Sequence, residues 1–370
     1  MRTPYYRYDL GLLDRTLAKI RECTEGHSNW HVHYAIKANA NPTLLERIRK
    51  AGLGIDCVSG GEISKALENG FPATSIVFAG VGKADWEIDL ALEKGIACFN
   101  VESQAELEVI IERCQALGRT AHIALRVNPN VDAHTHAGIT TGLSENKFGI
   151  EIPMLEPIIR RAIECDCLVF EGLHFHIGSQ ILDMEPFMTL ADRVNELQDN
   201  LEGKGIKLHS INVGGGLGVD YDNPEQNDMP CLESYFKVFE DRLKLRPGQQ
   251  LHFELGRAVV AQCGRLITRV LYVKQGTVKK FAIVDAGFTE LIRPAFYGAH
   301  HKIVNLSSDG PLEKYDVVGP ICESSDTFEK DALLPEIRRG DLIAILTAGA
   351  YGETMASCYN CRPLPKSCFD

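Results

Sequence analysis

A chain of 370 residues, 45% hydrophobic and 24% charged, has the composition of a globular protein long enough for two domains or one large barrel with an appendage. Its net charge of -11 argues against general binding to nucleic acid or to an anionic membrane. No run approaches the roughly 18 apolar residues of a membrane span, the first residues show no signal-like apolar core, and the 12 cysteines are scattered singly, so a cytoplasmic protein with free thiols is expected.

In chain order, an aromatic strand at 3–8 comes first. Short apolar strands then alternate with amphipathic helices: strand 31–37 with helix 42–50, 55–58 with 62–69, 76–78 with 86–93, and 97–101 with 105–116. Strand 121–127 leads through a long loop at 128–147, rich in Asn, Gly, His and Thr, to helix 154–164. Strand 169–177 precedes helix 186–202, strand 209–213 precedes helix 232–243, and 250–254 is the last. This rhythm predicts an α/β chain built on a (β/α)8 TIM-type barrel, with an open doubly wound sheet as the alternative. Past about residue 262, strands 266–274, 280–284, 316–318 and 342–346 follow without long helices, which predicts an antiparallel β-sandwich or barrel domain. The strand at 3–8 has no helix partner and is expected to complete that sheet. The predicted division is 13–262 for the barrel, and 1–12 with 263–370 for the β domain.

In such a barrel the functional side chains sit at the C-terminal ends of the strands. Lys37 ends Tyr34-Ala35-Ile36-Lys37-Ala38-Asn39, and period-two alternation puts His33, Ala35 and Lys37 on one face. It is either a solvated cap or an amine desolvated enough to react with a carbonyl. Asp56, before Ser59-Gly60-Gly61-Glu62, is either a turn or cap residue or a functional acid. His174 and His176 share a strand face, with Ser179 in the loop beyond. They read as packed histidines or as metal ligands, but no Asp, Glu or Cys stands at a metal spacing, so no metal is expected. Gly214, Gly215 and Gly216 after strand seven form either a flexible turn or a phosphate cradle of N–H groups, without the dinucleotide spacing.

Glu254 ends strand eight, followed by Gly256 and Arg257. A carboxylate there suits acid/base work, a metal or a protonated ring nitrogen, and the guanidinium suits phosphate or carboxylate. Cys322 and Glu323 lie in Gly319-Pro320-Ile321-Cys322-Glu323-Ser324-Ser325-Asp326, a turn carrying a thiol and acids. Cys358 and Cys361 form a Cys-x-x-Cys pair with neither a second pair nor a βαβ context. Arg293, Tyr297 and Tyr351 sit in loops as potential ligand groups.

Taken together, the segments 34–39, 56–62, 176–179, 214–216, 254–257, 322–324 and 349–351 resemble the barrel-type pyridoxal-phosphate amino-acid decarboxylases, in order and over nearly the whole chain. The resemblance implies a homodimer whose sites are completed by the neighbouring subunit's Cys-Glu-Ser loop, with pyridoxal 5'-phosphate held by Lys37 as a Schiff base. It implies His176 against the cofactor ring, Asp56 beside it, and Glu254 on the ring nitrogen. Gly214, Gly215, Gly216, Gly256 and Arg257 would take the phosphate with Ser179 and Tyr351. Cys322 is implied as the proton donor, with Lys37 the alternative.

For the far end of a substrate, Arg257, Arg293, Tyr297 and Tyr351 are implied for a carboxylate and Glu323 for an ammonium. Ornithine-type relatives typically carry Cys-Asp where this chain has Cys322-Glu323, so the implied reaction is decarboxylation of meso-2,6-diaminopimelate to L-lysine. The alternatives are a decarboxylase of ornithine, lysine, arginine or carboxynorspermidine, a racemase of the same cofactor class, and a non-catalytic regulatory homologue, which would be expected to lack Lys37, Glu254 or Cys322. Leu255 stands where the family usually has proline.

Overall fold

The computed structural model describes residues 1–131 and 147–370, so most of the expected loop at 128–147 lies outside the described residues. The chain divides into two units: Leu17–Gly218 with Cys231–Gly256, and Met1–Thr16 with Val219–Pro230 and Arg257–Asp370. Residues 13–16, 219–230 and 257–262, counted with the barrel from sequence, therefore belong to the second unit.

Strand β1 (Tyr5–Tyr8) and helix α1 (Leu10–Thr24) open the chain. The barrel unit continues with β2 (Trp30–Ala35), α2 (Pro42–Lys50), β3 (Gly54–Cys57), α3 (Gly60–Glu68), β4 (Ile76–Phe78), α4 (Asp85–Lys94), β5 (Cys98–Val101) and α5 (Gln104–Leu117). It is completed by β6 (Ala121–Asn128), β7 (Ile150–Glu151), α6 (Ile152–Ile163), β8 (Leu168–His174), α7 (Glu185–Gly203), β9 (Ser210–Asn212), α8 (Leu232–Arg242) and β10 (Gln250–Leu255). The strands run in the order β5-β4-β3-β2-β10-β9-β8-β6, and a β5–β6 pairing closes the ring; β7 adds a short edge on β6. Every ladder is parallel. The expected (β/α)8 barrel is thus present, and the open sheet is not.

Local chemistry explains the elements. Asn41 accepts from the Thr43 N–H just before Pro42, and Ser59 and Ser103 accept from the Glu62 and Glu106 N–H groups, which caps α2, α3 and α5. Gly95 and Gly118 end α4 and α5 in the left-handed conformation, at φ 66° and 60°. Between α8 and the barrel wall, Phe253 meets Phe236 and Phe239 with ring centroids 4.9 and 5.5 Å away.

Two strands stop earlier than periodicity predicts. The ladder of β2 ends at Ala35, and Lys37 lies in a single 3-10 turn, Ile36–Ala38, so the alternation that groups it with His33 does not reach it. β8 ends at His174, which leaves His176 in the following loop.

The second unit is a sheet built from β1, β11 (Gly264–Gln275), β12 (Lys280–Val284), β13 (Ile303–Asn305), β14 (Leu312–Val318), β15 (Thr327–Pro335), β16 (Leu342–Ile345) and β17 (Lys366–Phe369), with short helices α9 (Arg257–Val260) and α10 (Arg293–Tyr297). Its order is β13-β16-β11-β12-β14-β15, and β1 pairs with β11 and β17. The N-terminal strand does complete this sheet. The expected all-antiparallel pattern is corrected: β12–β14 and β1–β17 are parallel. A parallel pair needs a crossover, and the chain between β12 and β14, with α10 and β13, supplies one.

The barrel wall has no room at Gly172, where an added Cβ would overlap the Ser210 carbonyl oxygen of the paired strand. Gly172→Ala is expected to cost about 3 kcal/mol as an overpacked site, read as a lower urea midpoint. Gly203→Ala, at a helix end with open space around it, is expected to leave the midpoint unchanged or raise it.

Candidate active site

At the C-terminal end of β2, the Tyr34 hydroxyl donates to the Asn39 carbonyl at 2.8 Å, and Asn39 Oδ1 accepts from the Asn41 N–H at 2.9 Å. These bonds hold the 3-10 turn that presents Lys37, whose side chain is 36% exposed with Nζ 3.6 Å from Asp56 Oδ2. Asp56 does not cap α3; Ser59 does, while Glu62 accepts from the Val58 N–H at 2.7 Å. Asp56 is 1% exposed, and its Oδ1 has no hydrogen-bond partner among the described residues. Burial, reinforced by Glu254, pushes its carboxyl well above the usual range, although Lys37 opposes the shift.

Glu254 is the opposite case. It is also buried, but His174 Nε2 donates to Oε2 at 3.0 Å, and Asn100 and Asn212 both donate to Oε1, at 3.1 and 2.8 Å. Burial raises this carboxyl's affinity for a proton; His174, hydrogen-bonded to it, and Lys37 outweigh that and leave it well below the usual range. Glu254 is therefore an ionised acid inside the barrel. His176, half-buried in the loop after β8, is kept neutral by burial and by the nearby Arg126 and Lys37 charges.

The glycine run meets a steric constraint. A Cβ on Gly214 would overlap the Phe175 carbonyl, one on Gly215 the Glu254 carbonyl, and one on Gly216 would lie 2.6 Å from the Gly178 carbonyl. Close approach of neighbouring backbone thus demands glycine here. Gly214 and Gly216 also have positive φ, at 70° and 104°. Leu255 is buried in β10, paired with Tyr34, so the ladder holds that position where proline would remove a donor.

A second polar tier was not singled out from sequence. Arg126 donates to Glu102 at 2.6 Å, and Glu102 also accepts from the Gly80 and Gly149 N–H groups at 3.2 and 3.0 Å. Lys83 pairs with Glu106 at 2.6 Å, both almost fully buried. No group of three or more His, Cys, Asp or Glu side chains among the described residues is placed to hold a metal ion.

In the sheet unit, Arg257 and Arg293, each 6% exposed, both donate to the Tyr221 hydroxyl oxygen, at 2.6 and 3.0 Å. The Tyr351 ring lies 5.1 Å from the Arg257 guanidinium, with its backbone at φ 56°. His301 donates from Nδ1 to the Leu346 carbonyl at 2.9 Å, so its Nε2 accepts from Arg293 at 2.8 Å. Tyr221 and His301 carry no sequence motif. Burial, and Arg257 beside it, lower the pKa of Arg293, as expected of two like charges brought together. Tyr297 ends α10, and its phenol acts electrostatically on Arg257.

The Cys322 turn is shaped by buried Asp326, which accepts from the Ile321 and Phe288 N–H groups, both at 2.7 Å. Cys322 is exposed, and Glu323 accepts from the Tyr359 hydroxyl at 2.8 Å. Cys358 and Cys361, which flank Tyr359, are both free and exposed. Of the remaining candidates, Ser179 lies half-buried beyond β8, and Gly256 joins β10 to α9.

Residues 11–261 match the family described as pyridoxal-dependent decarboxylase, pyridoxal binding domain. The chain is 61% identical to a diaminopimelate decarboxylase of Bacteroides thetaiotaomicron, over 99% of this chain and 95% of the relative. The structure of Helicobacter pylori diaminopimelate decarboxylase complexed with L-lysine superposes with a TM-score of 0.94 at 42% identity, covering 100% of this chain and 92% of that one. The M. jannaschii enzyme of the same name, also in complex with L-lysine, gives 0.91 at 35% identity over 100% of this chain and 87% of that one.

A carboxyl whose pKa is raised by folding penalises the native state above its unfolded value of about 3.9, and the penalty vanishes below it. Asp56→Asn is therefore expected to raise the melting temperature of the cofactor-free protein at pH 7. The gain should shrink as the pH falls toward about 4, which a series of thermal melts across pH checks directly.

Proposed function

This chain belongs to the pyridoxal-dependent decarboxylase family, and we propose from that premise that it converts meso-2,6-diaminopimelate to L-lysine and carbon dioxide, using pyridoxal 5'-phosphate. The observation that carries the reading is the buried Glu254 carboxylate, held by three side-chain donors at the same barrel end as an accessible lysine amine.

The residues fit this cofactor. Lys37 offers an amine at a strand end, 3.6 Å from Asp56 Oδ2, and the other oxygen of that buried carboxyl, Oδ1, lacks a described partner. Glu254 keeps acceptor capacity beyond its three donors, so it would pair with the ring nitrogen. Gly214, Gly215 and Gly216 would present N–H groups to the phosphate together with Gly256, Arg257, Ser179 and Tyr351, and His176 would pack against the ring. When bound, the cofactor supplies an electron-accepting ring for the pair released as the carbon–carboxylate bond breaks.

The protein's own groups do the rest. Lys37 would hold the cofactor through its amine, and ionised Glu254 would favour a protonated ring nitrogen. Arg257 and Arg293 converge on one phenol oxygen and bring two positive charges to one place, which suits a substrate carboxylate, with Tyr221, Tyr297 and Tyr351 around it. Cys322 delivers a proton from its thiol to the substrate carbon that has lost carbon dioxide, and Glu323 binds the distal ammonium. In this reading the exposed Cys322 turn serves the site of a second copy of the chain, so the working form is a homodimer with shared sites. The family relationship and the composition suit a cytoplasmic enzyme.

Cofactor-loaded protein given meso-diaminopimelate, ornithine, lysine or arginine in turn is expected to release carbon dioxide from the first alone; turnover of ornithine without diaminopimelate would contradict the substrate assignment. Cys322→Ala is expected to lower kcat by roughly 10²- to 10⁴-fold, the usual worth of a positioned acid, while cofactor absorbance and the sedimentation coefficient of the dimer stay as in the native protein.

A further inference from the structure

The Glu254 carboxylate and the glycine turn are joined by a closed ring of hydrogen bonds, and Asn212 is the side chain that closes it. The Gly214 N–H donates to Asn212 Oδ1 at 2.9 Å. Asn212 Nδ2 donates to Glu254 Oε1 at 2.8 Å. The Glu254 N–H donates back to the Gly214 carbonyl at 2.8 Å. With Oδ1 committed to Gly214, the amide has one orientation, and its NH₂ must face Glu254. Asn100, from β5 on the far side of the barrel, places a second NH₂ on the same oxygen at 3.1 Å.

We propose that Asn212, with Asn100, is a positioning residue that locks the Glu254 carboxylate to the Gly214–Gly216 turn, setting the acid for the ring nitrogen at a fixed separation from the phosphate cradle. The assignment rests on the cofactor reading above and adds to it. Each carboxylate oxygen accepts about two hydrogen bonds. Among the described residues Oε1 takes two, from the carboxamides, and Oε2 takes one, from His174. Oε2 is therefore the atom left to face the ring nitrogen.

The choice of carboxamides has a physical reason. They hold Glu254 with neutral donors, whereas a Lys or Arg in their place would neutralise the charge the ring nitrogen needs. They also separate Glu254 from a cavity of about 490 Å³ in the N-terminal half of the barrel, which both line together with His31, His33 and His252. His33 and His252, 3.0 Å apart, are kept neutral there by burial, so these two imidazoles bring no competing cation from below.

The test is a double-mutant cycle on binding of pyridoxal 5'-phosphate, followed by fluorescence titration of Asn212→Ala, Glu254→Gln and the double variant. It is read together with the ¹⁵N resonance of cofactor labelled at the ring nitrogen. Asn212→Ala is expected to weaken binding about 10- to 100-fold, the usual worth of a partner that orients a ligand-holding group. It should move the ¹⁵N resonance toward the unprotonated position and add little once Glu254 is Gln. Asn100→Ala, which leaves the Gly214 link intact, should move the resonance in the same direction and serves if Asn212→Ala does not fold. Additive losses in the cycle with an unmoved resonance would overturn the proposal while leaving the cofactor reading standing. Failure of the native protein to bind the cofactor at all would overturn both.

Discussion

The site depends on keeping one buried carboxylate, that of Glu254, ionised inside the barrel. A charge in Glu254's position costs several kcal/mol of desolvation if uncompensated. A hydrogen bond to a charged group returns about 1.5–3 kcal/mol, so one donor does not suffice. The three donors come from three other strands, β5, β8 and β9. They converge only because the sheet closes on itself through the β5–β6 pairing. An open sheet of the same strands would leave Asn100 at an edge, far from β10. Barrel closure and the electrostatics of the acid are in this sense a single constraint.

Asp56 shows what the same barrel does without such donors. It is as buried as Glu254, yet one oxygen has no described partner and its pKa moves the other way. Two acids on neighbouring parts of one ring are pushed apart by their surroundings, which is how a protein obtains a charged and a neutral carboxyl at the same pH. In the sheet unit the logic is repeated with opposite sign. Arg257 and Arg293 are brought to one phenol oxygen, and burial beside Arg293 keeps His301 neutral, while the Leu346 carbonyl fixes which ring nitrogen carries the proton. Such places store unfavourable electrostatics that a bound partner relieves, a common mark of function.

Much of the architecture was legible in the sequence because the barrel's short apolar strands and capped helices repeat a strong local pattern. Helix α1 escaped because it stands outside that repeat. The parallel pairs of the sheet unit escaped because pairing direction follows from crossovers that periodicity does not record. For the site, the residues at strand ends were legible by type and place: Lys37, Asp56, Glu254, Arg257. Their supports were not. Asn100, Asn212, Arg126, Tyr221 and His301 lie in ordinary-looking segments, and each bonds a site partner at least eight residues away in the chain, most of them one more than twenty away. The glycine run was singled out, but its first cause is steric, since the carbonyl groups of Phe175 and Glu254 leave no space for a Cβ. A phosphate cradle and a crowded backbone call for the same residue, so sequence alone does not separate them.

Lys37, as the proposed covalent anchor of the cofactor, is the residue on which the chemistry turns. The most direct measurement is borohydride reduction of the cofactor-loaded protein, followed by proteolysis and mass spectrometry of the labelled peptide. A pyridoxyl group on Lys37 alone is the predicted result. A label on another lysine, with Lys37 unmodified, would contradict the assignment of Lys37 as the anchor.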